Sequence, residues 1–186
     1  MVDAVQVVTA VLALNAAAGS LLIVVARVVD GRLPFARSIG RALIARRVEL
    51  TLAVASVATA GSLYFSEVAE YIPCRLCWFQ RIAMYPIAVI ALVGLLRHDR
   101  DARWYVLPLA TIGAGVSSYH SMIEQGWLSD SESCSLFGPS CADVWFRTFG
   151  FMTLALMALA GFVSIIVLNT ISFDSANTDQ PRQEPT

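Results

Sequence analysis

The chain has 186 residues, of which 57% are hydrophobic and 15% charged, and its mean hydropathy is +0.66. Because soluble domains carry about 25% charged residues, this composition excludes an ordinary soluble domain and indicates an integral membrane protein. The length suits four or five spans of about 20 residues and leaves no room for a separate soluble domain. The net charge of −1 gives no indication of nucleic-acid binding.

Apolar runs of membrane-spanning length recur along the chain. The first run follows Met1-Val2-Asp3, which lacks the basic start of a signal peptide, so we expect this run to be retained as a span. An interfacial position of the first run is the alternative. A run of about 20 residues crosses a hydrocarbon core about 30 Å thick. The runs therefore predict five transmembrane helices, at approximately 5–25, 48–68, 78–96, 104–123 and 149–171.

The charges between the runs predict the orientation. The segment from Arg27 to Arg47 holds six Arg and one acid, its second half has amphipathic helical spacing, and the connector 97–103 is also rich in Arg. The loop 124–143 has four acids and no basic residue. Because short basic loops stay in the cytoplasm, the loops 67–77 and 124–143 are predicted to lie outside. The polar tail is then cytoplasmic, and its composition predicts disorder.

All four cysteines lie in the two predicted outer loops, as Cys74-x-x-Cys77 and Cys134-x6-Cys141. An oxidising exterior permits disulfides, so two local pairs are predicted. A four-thiolate zinc site is the metal alternative, but the six-residue spacing fits zinc poorly, and we predict no metal. Two purely structural disulfides are the other alternative.

The residues around Cys77 favour redox chemistry. Pro73 stops a preceding helix, so the third span is predicted to start near Cys74, with both sulfurs at a helix amino terminus that favours thiolate. Arg81 follows Cys77 by four residues and lies on the same helical face. It could stabilise a thiolate or an anionic electron acceptor. The alternative for Arg81 is that it extends to the lipid headgroups.

Further residues could complete a pocket for a planar ring. His120 lies near the outer end of the fourth span, where a solvated histidine is the simpler interpretation. An aromatic pocket would explain the neighbouring aromatic residues, but an interfacial aromatic belt explains them at least as well: Trp78, Phe79, Tyr85 and Trp127.

The segment from Pro73 to Pro86, PCRLCWFQRIAMYP, resembles the signature of DsbB-type disulfide oxidoreductases, particularly the BdbC branch. Tyr119-His-Ser-Met122 and Cys141 extend this resemblance over about 48–169, and the first 47 residues lie outside it. It implies a four-helix membrane bundle that reoxidises an extracytoplasmic, DsbA-like thioredoxin-fold thiol oxidase and reduces membrane quinone, ubiquinone or menaquinone. The predicted organisation is an extra helix with a basic loop (1–47), the redox bundle (48–171) and a cytoplasmic tail (172–186).

The resemblance also implies a role for each cysteine. Cys134 resembles the loop cysteine that the partner attacks, and Cys141 resembles its mate. Cys74 corresponds to the inner cysteine nearer the loop, and Cys77 to the one beside quinone. The spacing of the loop pair is shorter than in the best-known branch.

Arg81 resembles the arginine of the family's quinone site, and His120 resembles a family histidine near that site. Gln80 stands where some family members carry Glu. Vitamin K epoxide reductase-like proteins place the loop pair before the C-x-x-C, the reverse of the order here, which favours the DsbB type. The alternatives to this function are a quinol- or thiol-driven reductase, since direction depends on potentials, and a non-catalytic membrane protein with structural disulfides.

Overall fold

The structure is a computed structural model, and it describes residues 2–28, 34–99, 101–129 and 139–170. Within these residues the fold is helical, and the only β-type pairing is an isolated bridge between Thr148 and Met152. The predicted disordered tail 172–186 lies outside the described residues. The helices of the described part are α1 Val2–Val28, α2 Pro34–Ala45, α3 Arg47–Glu67, α4 Arg75–Leu96, α5 Arg103–Glu124 and α6 Leu154–Thr170.

Several of these helices are long and apolar enough to cross a membrane. Among the described residues α1, α3 and α4 meet both conditions, and α6 is apolar but only 17 residues long. Helix α5 has 22 residues, but serines and His120 in its second half lower its hydropathy. The all-helical, membrane-type fold is therefore confirmed, while the count of five spans stays a prediction.

Helices α3 to α6 form a bundle around an apolar core. Helix α5 packs on α4 and α6, α3 packs on α4 and α6, and α1 lies mainly against α6. The core is centred on Ile87, Val106, Phe162 and Ile165, which are almost fully buried. Gly113 allows the close approach of α5 and α6, because a Cβ atom at this position would overlap the Phe162 ring. Small residues at such contacts are typical of membrane helix packing.

A buried hydrogen bond joins α3 and α6 at the end of the bundle away from the cysteines. Asn169 Nδ2 donates to Thr51 Oγ1 at 2.9 Å and to the Ile165 carbonyl at 2.8 Å. Both side chains are buried, and an unpaired amide at this depth would be costly. This pair therefore fixes α6 against the beginning of α3 and leaves the other end of the bundle for the site.

Candidate active site

The inner cysteine pair sits at the start of α4, as the sequence predicts. Cys74 is the N-cap residue, in an extended conformation with φ −71° and ψ 172°, and its sulfur accepts a hydrogen bond from the Cys77 amide at 3.4 Å. The two Sγ atoms lie 3.0 Å apart. This distance fits a hydrogen-bonded dithiol, since a disulfide bond is about 2.05 Å long. The pair can close to a disulfide with a small movement.

The two sulfurs of the pair are not equivalent. The hydrogen bond that the Cys74 thiol makes to Cys77, together with burial, raises the pKa of Cys74 to about 12. The expectation that the helix terminus favours thiolate at both sulfurs is therefore wrong for Cys74, because the bond and desolvation outweigh the helix dipole there. Cys74 keeps its proton in the dithiol, and Cys77 accepts the hydrogen bond.

A buried polar cluster contacts Cys74 from α5. His120 Nε2 lies 3.7 Å from Cys74 Sγ, and His120 Nδ1 lies 3.2 Å from Gln80 Nε2. Glu124, one turn further along α5, places Oε1 3.8 Å from His120 Nε2, and its other oxygen accepts a hydrogen bond from Thr153. All of these side chains are buried. His120 thus lies against the cysteine pair, next to the sulfur that retains a proton.

The loop cysteine Cys141 packs against the inner cysteine pair. It is fully buried and belongs to one apolar cluster with Cys74, Leu76 and Ile123, against which Cys77 is also packed. Its predicted mate Cys134 lies outside the described residues. The structure therefore brings together three of the four cysteines.

A cavity of about 310 Å³ opens beside Cys77. Its lining is mostly apolar, and Arg81 forms part of its wall. Arg81 Nε donates to Ser62 Oγ at 3.0 Å, its Nη2 donates to the Ser62 carbonyl at 3.1 Å, and the guanidinium lies over the Trp78 ring at 5.2 Å. The guanidinium is therefore held against α3 at the cavity, one turn below Cys77.

The comparison with known proteins decides the family. The family described as disulfide bond formation protein DsbB matches residues 45–172, more than half of the chain. The chain belongs to the DsbB family. The resemblance stated from the sequence is thus confirmed, and membership implies an oxidoreductase activity in disulfide formation.

Curated relatives of this DsbB-family chain carry similar names. Disulfide bond formation protein C of Bacillus subtilis is 41% identical over 115 residues, covering 61% of this chain and 83% of the relative. Probable disulfide formation protein C 2 of Bacillus anthracis is 37% identical over 127 residues, covering 67% and 90%. Probable disulfide formation protein of Metapseudomonas resinovorans is 37% identical over 120 residues, covering 64% and 83%. No solved structure shows a significant match.

The aromatic residues of the cavity differ from those singled out in the sequence. Of the latter, Tyr85 lines the cavity, whereas Trp78, Phe79 and Trp127 are exposed, as an interfacial belt requires. The cavity is instead bordered by a stack of three rings, which we call the aromatic stack: Phe65, Tyr71 and Trp145. Its centroid distances are 5.9 Å between Phe65 and Tyr71 and 4.9 Å between Tyr71 and Trp145, with interplanar angles of 1° and 7°.

Three contributors to the site were not predicted from the sequence of this DsbB-family chain. Glu124 was assigned to the start of the polar loop, although its spacing of four residues from His120 indicates a shared helical face. Gln80 was noted only as standing where some family members carry Glu, with no contact predicted for it, yet it contacts His120. No local pattern distinguishes Ser62, because its role depends on a contact with another helix.

The site also contains a possible metal-binding group. The ligand atoms of Cys74, Cys77 and His120 lie within 4.8 Å of one another. This set differs from the four-thiolate alternative considered from the sequence, and it exists only while the cysteine pair is reduced, since a disulfide withdraws both thiolates. The absence of a metal from the working protein stays a prediction.

Proposed function

We propose that this DsbB-family protein oxidises the dithiol of a DsbA-like, extracytoplasmic thioredoxin-fold partner and passes the electron pair to membrane quinone. One observation carries the proposal. Cys74 packs with the loop cysteine Cys141, while Cys77 lines the apolar cavity together with Arg81. The inner pair therefore has one sulfur beside the outer loop and the other beside a site for an apolar acceptor.

The residues of the cavity fit a quinone. Its volume of about 310 Å³ lies at the lower end of the range for small-molecule sites, about 300 to 1,000 Å³. Arg81 offers a cation to a ring oxygen, and a cation held in place beforehand stabilises negative charge as it develops. Ubiquinone and menaquinone both suit this chemistry. Such a quinone, when bound, accepts two electrons and two protons.

In the first exchange the partner's thiolate attacks Cys134 of the Cys134–Cys141 disulfide, and Cys141 leaves as a thiolate. The partner's second thiol then attacks the mixed disulfide and releases Cys134. The partner is now a disulfide, and the loop pair holds two electrons and one proton, with Cys141 as the thiolate and Cys134 as the thiol.

In the second exchange the Cys141 thiolate attacks Cys74 of the Cys74–Cys77 disulfide, which its place in the same buried cluster supports. Cys77 leaves as a thiolate beside the cavity. Cys134 then attacks Cys141, restores the loop disulfide and releases Cys74, whose raised pKa keeps it protonated. The inner dithiol now carries the electron pair.

The inner pair closes again when the Cys77 sulfur gives up the electron pair to the acceptor and bonds to Cys74. The Cys74 proton must leave in this step, so Cys74 reacts as a thiolate. The Gln80 amide nitrogen donates to His120 Nδ1 at 3.2 Å, so the neutral imidazole carries its proton on Nε2, which lies 3.7 Å from Cys74 Sγ. Glu124, 3.8 Å from the same nitrogen, favours positive charge on the ring. His120 is therefore proposed to stabilise the Cys74 thiolate by donating to it, which favours loss of the Cys74 proton.

The proposed membrane arrangement keeps the organisation expected from the sequence. Helices α1, α3, α4, α5 and α6 span the lipid bilayer, both cysteine loops lie outside, and the carboxyl-terminal tail is cytoplasmic. The basic, amphipathic α2 supports this orientation, since such helices lie at the membrane surface. Residues 1–47 form an addition to the redox bundle 48–171, and 172–186 form the tail.

The test uses the purified protein with a reduced thioredoxin-fold substrate and quinone, with each cysteine replaced by serine in turn. Every replacement is expected to abolish quinone-dependent oxidation, and full activity of Cys77→Ser would refute the mechanism. Arg81→Ala should raise the apparent quinone KM, whereas Arg75→Ala should not, because Arg75 is exposed on the same helix. Quinol-driven reduction of the partner disulfide, faster than the forward reaction, would instead establish a reductase.

A further inference from the structure

We propose that α1 is a wall of the quinone cavity and determines which acceptors enter it; this inference rests on the function proposed above. The family match begins at residue 45, beyond the end of α1 at Val28. Nevertheless α1 contributes Thr9, Leu12, Ala13 and Ala16 to the cavity lining. The wall is therefore made by a part of the chain outside the family region.

The packing of α1 positions this wall. Its buried residues along the helix are Ala10, Ser20, Ile23 and Ala26, and α1 lies mainly against α6. On the adjacent face, Thr9 approaches α3 so closely that its Cγ2 would lie 3.5 Å from a Cβ atom on Gly61. Gly61 is next to Ser62, the residue that holds Arg81. Helix α1 thus closes the cavity near the guanidinium.

A hydrogen bond ties the outer end of α1 to the cavity mouth. Gln6 Nε2 donates to the Tyr71 hydroxyl at 2.9 Å. Tyr71 is the central ring of the aromatic stack, between Phe65 and Trp145. This bond joins α1 to the segment that precedes the cysteine pair, and so fixes the position of α1 along the bundle.

The chemistry of the wall indicates which part of the ligand it contacts. The Thr9 hydroxyl already donates to the Val5 carbonyl at 2.8 Å, and the other α1 lining residues are Leu12, Ala13 and Ala16. The surface offered to a ligand is therefore apolar, opposite in character to Arg81. We assign α1 to the hydrocarbon part of a lipid-soluble quinone, with the ring oxygens toward Arg81.

Substitution of one small wall residue tests this assignment. Ala13→Leu introduces bulk into the cavity, and overpacking of this kind is expected to raise the apparent KM for a tailed quinone by roughly tenfold. Ala18→Leu makes the same change at an exposed position of α1 and should leave KM unchanged. Equal KM values for the two variants would overturn the assignment.

Photolabelling of the unsubstituted full chain gives a readout independent of activity and of variant folding. The probe is a quinone whose isoprenoid tail carries a light-activated azide. It should label the segment 9–16 of α1, and an excess of quinone without the azide should reduce this labelling. Labels confined to α3–α6, in a protein with quinone-dependent activity, would overturn the role of α1 alone. The absence of both labelling and quinone-dependent activity would overturn the proposed function itself.

Discussion

Ser62→Ala tests whether the position of Arg81, as well as its charge, determines quinone use. Ser62 Oγ accepts from Arg81 Nε at 3.0 Å and from the Tyr85 hydroxyl at 3.4 Å. The substitution removes this oxygen, while the backbone carbonyl at 3.1 Å from Nη2 remains. The guanidinium then keeps one of its two contacts with α3 and can turn away from the cavity.

The magnitude follows from the bond that is lost. A hydrogen bond to a charged group contributes about 1.5 to 3 kcal/mol. Because the site is only partly buried and the carbonyl bond persists, we expect the lower end of this range. A loss of about 1.4 kcal/mol corresponds to roughly a tenfold rise in the quinone KM. The value of kcat at saturating quinone should change much less, since the cysteines are unaltered.

The assay follows quinone-dependent oxidation of a reduced thioredoxin-fold partner at varied quinone concentration. Ser66→Ala is the matched control, because the Ser66 hydroxyl bonds within its own helix and to Glu67. Ser62→Thr retains a hydroxyl and should restore most of the affinity. An unchanged quinone KM in Ser62→Ala would refute the positioning role of Ser62.

Four further outcomes are expected. Gly113→Ala should destabilise the protein by about 1 to 3 kcal/mol in thermal unfolding, because the added methyl group meets the Phe162 ring, whereas Gly115→Ala, with open space around it, should not. In the reduced protein, iodoacetamide at pH 8 should alkylate Cys77 before Cys74. The free energy of unfolding of the reduced protein should fall as pH rises from the ordinary thiol range toward about 12, the raised pKa of Cys74. Prolonged chelation with EDTA should leave turnover unchanged.

The sign of the pH effect is definite. A raised thiol pKa means that folding favours the protonated form, so the contribution is complete below the unfolded pKa and is lost above it. The oxidised protein lacks this thiol and should lack that loss. Equal loss of stability at alkaline pH in the reduced and oxidised proteins would contradict the prediction for Cys74. Equal melting temperatures of the two glycine variants would contradict the prediction for Gly113. A loss of turnover on chelation that added zinc reverses would contradict the prediction for EDTA.

The helices and the inner cysteine pair were predictable because their signals are local. Apolar runs located α1, α3, α4, α5 and α6, since length and hydropathy are properties of consecutive residues. Pro73 before Cys74 predicted the start of α4, because proline cannot continue a preceding helix and leaves the N-cap to the next residue.

The partners of the site residues were not predictable. Arg81 bonds Ser62, which is 19 residues away, and Gln6 bonds Tyr71, which is 65 residues away. Such contacts depend on which helices become neighbours, and hydropathy carries no information on that choice. The asymmetry of the cysteine pair also required the structure, because it arises from the burial of Cys74 and its hydrogen bond to Cys77.

The bonds between Arg81 and Ser62 have a consequence for how the protein enters its membrane. Inserted alone, α4 would carry an unpaired guanidinium into lipid, at a cost of about 2.5 to 3.5 kcal/mol at the helix centre and less near an end. Helix α3 supplies two acceptors for that group and precedes α4 in synthesis. We therefore expect α3 and α4 to leave the translocation machinery as a hairpin, with the arginine paired before it meets hydrocarbon.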